Sequence, residues 1–111
     1  MNFRTEIQIK KSQEKISHKQ KILLLGSCFA QNMQVKFAEG GFEAMHPFGA
    51  IYNPYSVANS FTLIAEKQMP SAESLFFQKD KWNSYAFHSS YSNADKNEAI
   101  RQMSEAITRA N

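Results

Sequence analysis

Apolar and polar positions along the chain change rhythm several times, and each change predicts an element. Phe3, Thr5, Ile7 and Ile9 alternate with polar residues, the period of two that predicts an exposed or edge strand. Lys10 to Lys21 is mainly polar and predicts a loop. Ile22 to Leu25 is a continuous apolar run, as in a strand buried on both faces. Over 28–39 the period lengthens: Phe29, Ala30, Met33 and Phe37 share one helical face. Gly40-Gly41 ends that helix, because glycine takes the left-handed conformation cheaply. A short strand is expected over 42–45, and HPFGAIYNPYS, 46–56, reads as a loop by its proline and glycine. Asn53 and Pro54 make a helix start as cap and first-turn residue. Val57, Ala58, Phe61, Ile64 and Ala65 then line one face of a helix that stops before Pro70. Leu75 to Gln78 and Trp82 to Phe87 predict two strands around a turn at Asp80-Lys81. The last helix is expected to begin near Ser92 or Asn93. Its stripe is Ala99, Ile100, Met103, Ala106, Ile107 and Ala110, with Glu105 placed to pair with Arg109. The order strand–helix–strand–helix predicts an α/β fold with crossover helices.

Composition narrows the classes. The 111 residues allow one small domain, and 42% hydrophobic with 13% aromatic residues is enough for a core and too much for disorder. The net charge of +3 gathers at Lys10, Lys11, Lys15, Lys19 and Lys21, with His18 beside them and only Glu14 against them. Without interleaved aromatics to stack on bases, this cluster reads as a solvated loop, and no nucleic-acid partner is expected. His18 in it reads as solvated too. Cys28 is the single cysteine, which excludes an intramolecular disulfide and a cysteine metal cluster. His18, His46 and His88 have no metal-ligand spacing, so neither metal nor cofactor is expected. The N-terminal residues lack the apolar stretch of a signal peptide, and no run reaches the length of a membrane span. The expected location is cytoplasmic, with no membrane partner. Oligomeric state is open.

The candidate chemistry lies at Gly26-Ser27-Cys28. A buried strand, a tight turn and a helix place the turn residue at the carboxyl end of a sheet, where open α/β sheets bind ligands. A serine there has an exposed hydroxyl near a helix N-terminus whose free N–H groups favour an anion. An ester carbonyl under attack develops such an anion. The plainer reading makes Ser27 only an N-cap, and the local features alone favour it, although Ala30 stands where a capping-box partner would be. Cys28 reads as core or as a wall of the site.

Gly26-Ser27-Cys28-Phe29-Ala30 spells GSCFA, and with Pro47-Phe48-Gly49, Tyr52-Asn53-Pro54, Trp82, His88-Ser89 and Ser92 in order the chain resembles the GSCFA domain family. That family looks like a branch of the SGNH, or GDSL-type, hydrolases. The resemblance implies an α/β fold, the N-terminal portion of an SGNH-like α/β/α sandwich with a mainly parallel sheet. It implies a serine esterase-like hydrolase or acyltransferase acting on a small-molecule or glycan ester, with Ser27 as nucleophile and an acyl-enzyme intermediate. Gly49, Asn53 and His88 become candidates for oxyanion or substrate contacts; a turn glycine and a helix cap are the plainer accounts of the first two. His46 stands where the family pattern has Asn. The catalytic histidine and its acidic partner are expected from a motif beyond Asn111. Residues 1–111 would then form one incomplete domain, inactive alone. The second reading is a non-catalytic carbohydrate- or ligand-binding module, in which Phe48, Tyr52, Trp82 and Tyr85 stack on sugar rings.

Overall fold

A computed structural model describes residues 3–111. Strand β1 (Lys21–Leu23) lies parallel to β2 (Glu43–Met45), with helix α1 (Cys28–Glu39) connecting them. Lys21 stands opposite Glu43 and Leu23 opposite Met45, and the Leu24 N–H continues the ladder to the Met45 carbonyl at 2.8 Å. Ile22 to Leu25 are half-buried rather than enclosed on both faces, because β1 has one partner strand among the described residues. On α1, Ala30 is buried and Met33 and Phe37 are half-buried, but Phe29 turns outward at 71% exposure. Of the two glycines after α1, only Gly41 is left-handed, at φ +82°. His18 is not simply solvated. Its ring stacks on Phe42 at 4.0 Å between centroids, and its Nε2 lies 3.0 Å from the Gly40 carbonyl oxygen.

Helix α2 (Pro54–Ala65) starts at the expected cap: the Tyr55 N–H donates to Asn53 Oδ1 at 2.8 Å. Its buried side differs from the expected stripe. Ser60 and Ile64 face inward, whereas Ala58 and Ala65 are exposed and Phe61 is 59% exposed. The buried Ser60 hydroxyl donates to the Ser56 carbonyl at 2.9 Å, so it needs no outside partner. A hairpin follows, β3 (Leu75–Gln78) against β4 (Lys81–Ser84). Lys79 and Asp80 turn it, both left-handed at φ +51° and +58°, which matches the right-handed strand twist. The turn therefore sits one residue before the expected place, and β4 ends at Ser84 rather than Phe87.

Helix α3 (Lys96–Ala110) begins after Ser92 and Asn93. Asp95 is its cap and accepts from the Asn97 and Glu98 N–H groups at 2.8 and 3.1 Å. Ser92 is used elsewhere, donating to Asn83 Oδ1 at 2.6 Å. Glu105 pairs with Arg101, one turn back, and not with Arg109. The predicted stripe does face inward: Ala99, Met103 and Ile107 join Phe48, Ile64, Leu75 and Phe87 in one apolar core.

No strand forms over 3–9. Phe3, Ile7 and Ile9 are 92%, 78% and 88% exposed, because alternation specifies a strand only where a sheet edge is available to pair with it. The observed class is mixed α/β, with one parallel and one antiparallel two-stranded sheet among the described residues. None of the described helices is long and apolar enough to cross a membrane.

Candidate active site

The chain leaves β1 through Leu24-Leu25 and reverses at Gly26, whose φ of +144° is a conformation that side-chain-bearing residues rarely adopt. Space is not the constraint, since an added Cβ would meet only the Ala30 Cβ at 3.5 Å. Ser27 follows in extended conformation and caps α1. Its Oγ accepts from the Phe29 N–H at 3.3 Å, a long bond that holds the hydroxyl loosely at the helix N-terminus. The half-buried hydroxyl therefore stands at the N-terminus of α1, whose first-turn N–H groups favour a developing anion.

What holds the turn is the loop after β2. The Gly26 carbonyl accepts from the Ile51 N–H at 2.7 Å and from His46 Nε2 at 3.3 Å. Between those two donors sit Phe48, fully buried in the core, and Gly49, left-handed at φ +74°. A Cβ on Gly49 would stand 2.5 Å from the His88 Cβ, and the His88 N–H donates to the Phe48 carbonyl at 2.8 Å. The loop is thus fixed to the core at Phe48 and His88 and to the serine turn at His46 and Ile51.

Neither histidine turns a basic nitrogen to Ser27. His88 Nδ1 accepts from the Ser90 N–H at 3.1 Å, capping a short 3₁₀ turn over Ser89–Tyr91, so in the neutral ring the proton sits on Nε2. His46 Nε2 faces a carbonyl, which only accepts, so that nitrogen carries the proton. Burial holds the His46 pKa below the usual 6.5, the bond to Gly26 opposes this, and the nearby His88 charge adds to the lowering. Among the described residues no histidine bonds to Ser27. No group of three histidine, cysteine or acidic side chains there could hold a metal.

A model described as the GSCFA family matches residues 21–111. The chain belongs to the GSCFA family. Nothing matches among curated proteins, and nothing matches among solved structures. The GSCFA signature is the Gly26–Ala30 turn itself, and the matched segment begins at the first residue of β1.

The other residues singled out in this GSCFA chain sort by exposure and position. Asn53 Oδ1 is occupied as the α2 cap. The Gly49 N–H lies 3.5 Å from the His46 carbonyl and closes the turn between them. Phe48 is core, and Trp82 is partly buried with the Lys96 ammonium 4.2 Å above its ring. Tyr85 is exposed but stacks on Phe76 at 4.4 Å, on the hairpin. Of the four aromatics proposed for sugar stacking, Tyr52 is the one beside the serine turn. It is 72% exposed, and the neighbouring Cys28 side chain raises its pKa. Cys28 itself is exposed, not core. A groove of about 450 Å³ lies beyond His46, lined also by Gln31, Gln34, Gln102, Tyr91 and Arg109, and does not include Ser27. Sequence reasoning set His46 aside; its bond to Gly26, 20 residues away, depends on the β1–β2 register and has no local signal.

Proposed function

We propose that this GSCFA chain carries the nucleophile of a serine ester hydrolase or acyltransferase, built on an SGNH-like α/β/α sandwich. The observation behind this reading is the presentation of Ser27. A hydroxyl sits at the end of a strand, after a glycine at φ +144°, against the N-terminus of a twelve-residue helix. In the proposed reaction Ser27 Oγ attacks the ester carbonyl carbon while a base takes its proton. The carbonyl electron pair moves to oxygen, where the first-turn N–H groups of α1 stabilise it, assisted by Gly49 N–H and the Asn53 amide. Collapse breaks the bond to the alcohol, which leaves with a proton, and the acyl group remains on Ser27. Water or a second hydroxyl then takes the acyl group.

A serine without a base is a weak nucleophile. His46 Nε2 and His88 Nδ1 are engaged elsewhere and neither ring bonds to Ser27, so base and acid would come from outside residues 3–111, and residues 1–111 alone should turn over esters poorly. Tyr52, exposed beside Cys28, supplies an aromatic wall suited to a carbohydrate ester. That same ring favours the second reading, a binding module that keeps the exposed aromatic face without the chemistry.

Fluorophosphonate labelling of the protein as the cell makes it separates the two readings. An enzyme acquires a phosphonyl adduct on Ser27, and Ser27→Ala abolishes both adduct and ester turnover with the fold retained. A binding module shows no adduct and retains its carbohydrate affinity in Ser27→Ala.

A further inference from the structure

We infer that His46 is a positioning residue for Ser27: its Nε2–H, bonded to the Gly26 carbonyl, fixes the turn that presents the hydroxyl. The inference rests on the hydrolase reading for its kinetic consequence and on geometry for the rest. Gly26 at φ +144° has no side chain to limit its backbone, so the orientation of the Gly26–Ser27 peptide must be set by what holds its oxygen. Two donors hold it, Ile51 N–H at 2.7 Å and His46 Nε2 at 3.3 Å, which together fill the two lone pairs of a carbonyl. The Ile51 donor is backbone and would be present with any side chain there. The second donor depends wholly on the residue at 46.

The position of that residue follows from the sheet. Leu23 pairs with Met45, so the residue after β2 lies beside the turn that leaves β1. The His46 ring also faces the groove lined by Gln31, Gln34, Tyr91 and Arg109, where no carboxylate is present to draw its proton away from the Gly26 carbonyl. Its Nε2–H is therefore free to serve the turn.

Two variants and two readouts test this. His46→Phe keeps a planar ring and removes the donor; His46→Gln restores an N–H at about the same reach. In the protein as the cell makes it, His46→Phe should slow fluorophosphonate labelling of Ser27 by about ten- to hundred-fold, the scale of a small misplacement at a reacting group. His46→Gln should return most of that rate. Labelling of His46→Phe at the wild-type rate, or of His46→Gln as slowly as His46→Phe, overturns the inference. The second readout needs no reaction. In nitrogen-15 spectra of residues 1–111, His46 should show the Nε2-protonated tautomer. His46→Phe should shift the Ser27 and Phe29 amides while leaving Met103 in place. Unmoved Ser27 and Phe29 amides overturn the inference. If wild-type Ser27 takes no label, the hydrolase reading fails, and the spectra alone decide the role of His46.

Discussion

The half of the chain that carries Ser27 and the half that carries the core are held together by different forces. In β1, α1 and β2 the one buried apolar side chain is Ala30, whereas α2, the hairpin and α3 enclose Phe48, Ile64, Leu75, Phe87, Ala99, Met103 and Ile107. Hydrophobic burial thus stabilises the second region strongly and the first weakly. The serine turn instead depends on hydrogen bonds from the 46–51 loop, and that loop is anchored in the other region's core through Phe48. The serine turn therefore takes its rigidity from the other region's core, against which Leu23, Leu25 and Ile51 also pack, half-buried.

Breaking the anchor should have the largest effect. Phe48→Ala removes a fully buried ring and should cost about 3–5 kcal/mol in urea denaturation, and with it the order of the Gly26 turn. In the other region Ala30→Gly should cost only about 1 kcal/mol, the helix-propensity loss. Equal losses would mean that the two regions do not differ as described. Gly49→Ala comes next. Its φ of +74° alone costs a side-chain-bearing residue about 1–3 kcal/mol, and the added Cβ would also displace His88. An unchanged melting temperature would show that the loop is not held against His88.

The helix caps sharpen the comparison at a smaller scale. Asp95→Ala should cost about 1–2 kcal/mol, since Asp95 accepts two N–H groups at 2.8 and 3.1 Å. Ser27→Ala should cost about 0.5 kcal/mol, since its one capping bond is 3.3 Å long. A serine whose removal costs as much as Asp95 would be acting as a cap before anything else.

The smallest effect is electrostatic. Burial sets the folded pKa of His46 below 6.5, so the unfolded chain binds that proton more readily. The His46 contribution is therefore intact above about pH 6.5 and is lost as pH falls through the folded value. Denaturation midpoints should drop as pH falls below about 6.5, and His46→Gln should flatten that slope. A slope identical in His46→Gln would place the titration elsewhere.

What could be read from the sequence was what is encoded locally. The extent of α1, the Asn53-Pro54 start of α2 and the inward stripe of α3 each lie within a few turns of chain, and each appears in place, although Phe29 leaves the expected face of α1. The start of α3 differs because Ser92, Asn93 and Asp95 are all good caps, and the Ser92–Asn83 bond and the Asn93–Trp82 bridge select among them. The strand expected over 3–9 failed for want of a partner edge, which no local pattern can supply. The site divides in the same way. The strand–glycine–serine–helix junction and the capping position of Ser27 were legible locally, whereas its reading as a nucleophile came from the resemblance to the GSCFA family. The donors on Gly26 come from 20 and 25 residues away and become visible only when β1 and β2 are in register.

The most direct test of the account is peptide mapping after fluorophosphonate treatment of the protein as the cell makes it. The account predicts an adduct on Ser27 Oγ that vanishes in Ser27→Ala. A folded protein with no adduct on Ser27, or with the adduct on Cys28 or Tyr52 instead, would contradict it.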